Sequence, residues 1–187
     1  MHIIRPKHHF DIRLGEIPYF YLIGPVLGGG DWQHQMCLAL QRVVGECVIA
    51  VPNRWTDDHS LAQHFVGKVS DEYESQTHWE QWHIEHAIRN ARACLVAYLA
   101  GESGANPRSD GKPYGIDTYG EMNYFRGRME SWGPRTRKLF PLVLGVDERY
   151  PYWKTLKKNL DHSYGQEFPY CSSIRTLSVR AQEAVFR

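Results

Sequence analysis

The sequence predicts an α/β fold, a single-domain three-layer sandwich built around a five-stranded parallel sheet. Three observations predict it. Short apolar runs alternate with amphipathic stretches along the chain, the pattern of strands joined by crossover helices. The chain has 187 residues, 42% of them hydrophobic, enough for one core and too few for two ordinary domains. The strongest runs are apolar from end to end, as strands covered on both faces must be.

The elements follow in order. Residues 19–25 (YFYLIGP) read as the first strand, closed by Gly24 and Pro25. After the glycines at 28–30, Asp31 is placed to cap a helix over 32–44, where Met36, Leu40 and Val43/Val44 recur at helical spacing. Residues 47–51 (CVIAV) form a second strand, stopped by Pro52. Residues 53–77 are polar and irregular, and a connection of that length in a compact domain is usually a functional loop. A helix is predicted over 77–90, with Thr77 and Glu80 spaced as a capping box. Residues 93–99 (ACLVAYL) are the most apolar strand, hence interior in the sheet. A Gly/Pro/Ser-rich loop over 101–115 leads to a helix over 118–129, with Asp117 or Thr118 at its N-cap. The fourth strand spans 139–144, with Pro141 awkward inside it. A short helix over 151–159, a weak fifth strand over 173–177 and a helix over 178–186 complete the chain, whose first 18 residues carry little pattern. Right-handed crossovers leave few topologies, and five strands in so short a chain suggest the flavodoxin-like order 2-1-3-4-5. In such sheets ligands sit beyond the carboxyl ends of the strands, which here means residues 24–33, 53–55, 101–121 and 145–149.

Composition excludes several classes. Lys and Arg total 22 against 21 Asp and Glu, a net charge of +1 that makes no electrostatic case for long nucleic acid or an anionic membrane. The longest apolar stretch, residues 93–100, falls well short of a membrane span, and residues 1–10 lack the apolar segment of a secretory signal. Cys37, Cys47, Cys94 and Cys171 are scattered and form no C-x-x-C pair. Read as reduced thiols, they fit a cytoplasmic protein.

Chemistry-bearing residues gather in four places. Asp117 and Glu121 are four apart, on one face of a predicted first helical turn. Helix N-terminal N–H groups favour an ionised carboxylate there, and an ionised carboxylate in a dry cleft is a nucleophile for a sugar anomeric carbon. The bland alternative makes Asp117 a helix cap and leaves Glu121 in water. The turn from Gly24 and Pro25 through Gly30 to Trp32 lets backbone N–H groups approach a ligand, but matches neither G-x-G-x-x-G nor a P-loop. Trp32 is either a base-stacking ring or a core aromatic. In THWEQWHIEHA, His83 and His86 lie three apart without an H-E-x-x-H pattern, so no metal site is expected, while Glu80 starts a helix that edges the cleft. Asn53 and Arg54, with Trp55, follow the second strand, where they can hold a phosphate and a base or simply pin the long loop. No G-x-S-x-G and no cysteine motif points to a serine or cysteine nucleophile.

Taken in order, Y-L-I-G-P with its Gly-rich turn and Trp, then V-P-N-R-W, then H-W-E-x-x-x-I-x-x-A, an apolar strand, and D-T-Y-G-E resemble the nucleoside 2-deoxyribosyltransferase-like family. That family includes 2′-deoxynucleotide N-hydrolases, and the resemblance runs from about residue 19 to residue 125. It implies that Glu121 is the nucleophile that forms a glycosyl-enzyme, with Asp117 near the sugar hydroxyls or the base. It implies that Tyr21 hydrogen-bonds and orients that nucleophile, and that Glu80 contacts the base and passes it a proton. One extra helical turn before the third strand makes Glu85 a competitor for this last role. Gly24, Pro25, Gly30, Trp32, Asn53, Arg54 and Trp79 would then line the substrate. The implied reaction cleaves or exchanges the N-glycosidic bond of a (deoxy)nucleoside or deoxynucleotide. It needs a nucleoside or nucleotide and a free nucleobase as partners, no cofactor, and a homo-oligomeric assembly. A non-catalytic nucleotide-binding or sensing module on the same fold is the alternative. A flavin protein is a third class, for which the chain lacks a matching phosphate loop.

Overall fold

A computed structural model describes residues 1–11, 16–104 and 107–187, with the backbone alone at 134 and 135. Parts of the N-terminal segment (12–15) and of the 101–115 loop (105–106) therefore lie outside the described residues. The strands are β1 (His2–Ile4), β2 (His8–His9), β3 (Tyr19–Ile23), β4 (Val48–Ala50), β5 (Phe65–Val66), β6 (Lys68–Val69), β7 (Ala93–Leu99) and β8 (Leu142–Val146). The helices are α1 (Trp32–Val44), α2 (Gln76–Arg89), α3 (Ile116–Ser131), α4 (Gly133–Thr136), α5 (Trp153–Tyr164) and α6 (Ile174–Val185).

Six strands form one parallel sheet in the order β5-β1-β4-β3-β7-β8, and β2 pairs antiparallel with β6 outside it. The expected succession of second, first, third and fourth strands is present as β4-β3-β7-β8. Both edges differ from the expected five-stranded sheet. The N-terminal segment contributes β1, and the long polar connection contributes β5, at the edge beyond β4. At the other edge, residues 173–177 are not a strand. Ser173 is an extended N-cap whose hydroxyl accepts from the Thr176 N–H at 3.2 Å, so the chain turns into α6. The edge of β8 carries a bridge to Cys171, whose N–H donates to Leu144 O and whose carbonyl accepts from Val146 N, both at 2.8 Å. Pro141 falls just before β8, where it costs no ladder bond.

Strand alternation divides the core into two layers. Tyr19, Tyr21 and Ile23 pack with Trp79, Ile84 and Ala87 of α2, Met122 and Phe125 of α3, and Leu156 and Leu160 of α5. Phe20 and Leu22 face the other way, against Trp32, Met36 and Leu40 of α1 and Leu177 and Ala181 of α6. Each fully buried Leu, Ile or Phe here contributes roughly 1.5–3 kcal/mol.

The helix caps differ from expectation at three places. Asp31 has φ −98° and ψ 31°, which is not the extended conformation a cap needs, and its carboxylate pairs with His34 Nδ1 at 2.9 Å instead. Ser75, not Thr77, caps α2: it is extended, and its hydroxyl accepts from His78 N at 3.1 Å. Gly115, not Asp117 or Thr118, precedes α3, in a left-handed conformation with φ 72°. A Cβ at Gly115 would lie 2.6 Å from the Tyr150 ring, whose hydroxyl donates to the Gly115 carbonyl at 2.7 Å. Only glycine satisfies both demands. None of the helices among the described residues is long and apolar enough to cross a membrane.

Candidate functional site

Beyond the carboxyl ends of β3, β4 and β7, α2 and α3 bring three acidic side chains together. Glu80 is the fifth residue of α2, and Asp117 and Glu121 are the second and sixth of α3. Glu121 is half-buried, and its carboxyl is pushed up to about 8, first by desolvation, then by the charges of Glu80 and Asp117. This reverses the expectation of an ionised carboxylate. The free N–H groups of a helix belong to its first turn, and Glu121 lies past it. Burial and like charge therefore both favour the protonated form of Glu121 in the free protein. Glu80 is also raised, chiefly by burial and partly by Asp117, against the opposing effects of its Gln76 hydrogen bond and of Arg54.

Tyr21 comes up from β3 into the same layer and is 1% exposed. Burial raises its hydroxyl well above the ordinary range, and Glu121 and then Glu80 add to the rise, so both carboxyls are electrostatic neighbours of that oxygen. The hydroxyl has no hydrogen-bond partner among the described residues, so the expected bond from Tyr21 to Glu121 is not formed. The Tyr21 ring stacks on His83 and meets Trp79 edge-on, with centroids 6.2 and 6.1 Å apart.

Asp117 stands at the rim, its side chain 62% exposed, 2.6 Å from Arg108 Nη2 and 3.6 Å from Lys112 Nζ. Arg108 also forks onto Asp110 at 2.5 and 2.8 Å. Glu80 accepts from Gln76 Nε2 at 2.8 Å. The Gln76 amide oxygen in turn accepts from Arg54 Nε at 2.8 Å, and its NH₂ also donates to the Pro52 carbonyl at 3.2 Å. Gln76 ties the segment after β4 to Glu80, and sequence reasoning missed it. The signal available was its spacing four residues before Glu80. Glu85 faces elsewhere, against Arg89 at 3.2 Å and Arg128 at 3.1 Å, which leaves Glu80 as the acid beside Glu121.

The other expected site residues divide. Gly24 has φ +152°, and a Cβ there would lie 2.3 Å from the Tyr98 carbonyl and 2.7 Å from the Trp32 ring, so the turn closes tightly on both. Trp32 is 3% exposed, and its indole N–H donates to the Pro25 carbonyl at 2.8 Å. It supports the turn from beneath and has no open face for a base. Gly30, with φ +68°, approaches Ser103. Asn53 is half-buried and Arg54 exposed at the mouth. Trp79 is 0% exposed and donates to the His8 carbonyl at 3.1 Å, so it is a core residue and not a substrate wall.

The histidines on α2 are packed and not clustered for a metal. His83 is buried, hydrogen-bonded to the Tyr19 hydroxyl, and held well below the usual imidazole range by desolvation, then by His86 and His9. Among the described residues no three His, Cys, Asp or Glu side chains converge as a metal-binding group. Cys37, Cys47 and Cys94 are free and buried, and Cys171 is free and half-buried.

Compared with known proteins, the chain matches no protein-family model. It matches none of the curated proteins either.

Proposed function

We propose that this chain is a nucleoside 2-deoxyribosyltransferase-like enzyme on a flavodoxin-like sheet. It cleaves or exchanges the N-glycosidic bond of a (deoxy)nucleoside or deoxynucleotide through a glycosyl ester on Glu121. The observation that carries this reading is the inward Glu121 carboxyl, desolvated beside Glu80 and Asp117 at the end of the sheet where ligands bind.

Two crowded carboxyls resist ionising together, so the pair of Glu80 and Glu121 favours sharing one proton. In the free protein that proton rests on Glu121. Positive charge developing at the anomeric carbon favours Glu121 ionised and moves the proton to the base side, on Glu80. The Glu121 oxygen then forms a bond to C1′ as the C1′–N bond breaks. The electron pair of that bond goes to the base, which takes the proton from Glu80. A second base, or water, attacks C1′, releases Glu121 and returns a proton to Glu80. Two displacements give net retention. Exclusion of water while an acceptor base binds decides between transfer and hydrolysis. Arg54, linked through Gln76 to Glu80, places a cation at the mouth for an anionic substrate group. The same reading takes a homo-oligomer in the cytoplasm, with reduced cysteines and no cofactor.

The test is chromatography of a panel of nucleosides and 5′-monophosphates, incubated with and without a second free base. Released base marks a hydrolase and an exchanged nucleoside marks a transferase. A second reading, a non-catalytic nucleotide-binding module, is favoured by one observation. Grooves of 730, 690 and 510 Å³ among the described residues are lined by residues other than Glu121. Saturable nucleotide binding with no base released from any member of the panel would establish that reading and reject the first.

A further inference from the structure

The groove of 730 Å³ lies at the amino ends of the strands, where Ala93 opens β7 and Leu142 opens β8. This is the end of the sheet opposite Glu121. The charged side chains lining it are Arg89, Arg137, Lys138, Arg180 and Arg187, all cations. Arg89 and Arg180 are each balanced by a carboxylate, Glu85 at 3.2 Å and Glu183 at 3.3 Å. Arg137 and Lys138 make no ion pair among the described residues. Arg137 donates from Nη1 to the Ser163 carbonyl, which anchors the guanidinium, while its Nε is buried without an acceptor. Lys138 Nζ donates to the neutral Gln166 amide at 2.8 Å and lies 5.9 Å from the Tyr164 ring centroid.

Around these cations the walls are aromatic: Trp132, Phe140, Tyr164 and Phe168. Trp132 meets Phe140 edge-on at 5.3 Å, and Tyr164 meets Phe168 edge-on at 5.1 Å, so the rings brace one another. A cavity of this size holds one small organic molecule, and flat apolar walls with convergent charge select a flat ligand of opposite sign. Among the described residues the Arg137 guanidinium donates only to the Ser163 carbonyl and Lys138 only to a neutral amide, so an anionic oxygen in the groove would give these cations a charge-assisted partner.

We propose that this groove is a binding site for a small aromatic phosphate ester, its ring between the aromatic walls and its phosphate against Arg137 and Lys138. The site is separate from the carboxyl-end acids and does not rest on the proposed reaction. Its occupant would meet the C-terminal end of α3, the helix that carries Glu121, since Met129 and Trp132 line the groove.

The probe is 1-naphthyl phosphate, which has no sugar and so reports nothing about a glycosyl site. Its binding is followed through the Trp132 indole N–H resonance, assigned by its loss in Trp132→Phe. The expected result is a saturable shift of that resonance, with affinity falling more than about five-fold in Lys138→Glu, as loss and reversal of a phosphate contact require. Lys138 is exposed, so this variant folds. Arg137→Gln is expected to weaken binding by a similar factor, and 1-naphthol and inorganic phosphate to bind more than about five-fold more weakly than the ester. The proposal is overturned if the resonance does not move, if Lys138→Glu binds the ester as the wild type does, or if either fragment binds as tightly as the ester.

Discussion

The two ends of the sheet handle charge in opposite ways. At the carboxyl ends Glu80, Asp117 and Glu121 crowd together, and burial converts the crowding into a retained proton on Glu121. At the amino ends Arg137 and Lys138 line one groove, and neither makes an ion pair among the described residues. Like charge crowded in a dry layer favours the protonated form, while cations around an open groove favour an anionic partner. The partners make the contrast. Glu121 has Tyr21 and Glu80 around it, and Arg54 reaches Glu80 only through Gln76.

The largest expected effect separates the ends by activity. Glu121→Gln lowers base release by on the order of 10³-fold or more while leaving nucleotide affinity within a few-fold. Chromatography and a binding titration measure the two, and full base release by this variant would remove Glu121 from the chemistry. Next in size is Gly24→Ala. The left-handed φ of +152° and a contact of 2.3 Å with the Tyr98 carbonyl leave no room for a methyl group. Destabilisation of about 2–4 kcal/mol is expected in urea unfolding, from strain at a special backbone position. A change below the error of the measurement would mean that the turn at the carboxyl end relaxes freely.

The pH dependence of stability sharpens the contrast further. Glu121 titrates at about 8 when folded, against an ordinary value of 4.5, so between those pH values the folded protein binds a proton the unfolded chain has released. Its contribution is fully present below pH 4.5 and is lost as pH rises toward 8. Glu121→Gln should therefore gain stability relative to wild type steadily across that window, and a constant offset would mean that Glu121 is already ionised at neutral pH. Glu80→Gln removes a neighbouring negative charge and should lower the Glu121 titration, read by ¹³C NMR of the side-chain carboxyls. The smallest effect is expected from Tyr21→Phe. The lost hydroxyl has no hydrogen-bond partner among the described residues, so stability changes by less than about 1 kcal/mol. A larger loss in urea unfolding would reveal a bond from Tyr21 to its acidic neighbours.

Much of the frame was legible in the chain. The helix over Trp32–Val44 and the strand over Ala93–Leu99 follow directly from periodicity and apolar run length. Residues 173–177 read as a strand because so short an apolar stretch fits a strand as well as a helix, and the Ser173 cap decides for the helix. β1 and β5, of three and two residues, are too short to carry a pattern and exist because a sheet edge accepts them. At the site, the four-residue spacing of Asp117 and Glu121 was visible, but not that Asp117 would turn to Arg108 while Glu121 stayed inside. Trp32 reads as a ring-stacking candidate and Trp79 as a substrate-lining one because local sequence does not report burial. The close approach of Gly24 puts one in the core, and packing against Tyr21 and His83 does the same for the other. The meeting of Glu80 with Glu121 is a tertiary fact, made by two helices packed on one face of the sheet.

The central claim is that the Glu121 oxygen takes the sugar. Acid-quenching the protein during turnover of each nucleoside and 5′-monophosphate in the panel, followed by peptide mass spectrometry, tests it most directly. A glycosyl mass on the peptide bearing Glu121, absent in Glu121→Gln, is the predicted result. Base release with the sugar mass on another side chain, or base release that persists unchanged in Glu121→Gln, would contradict it.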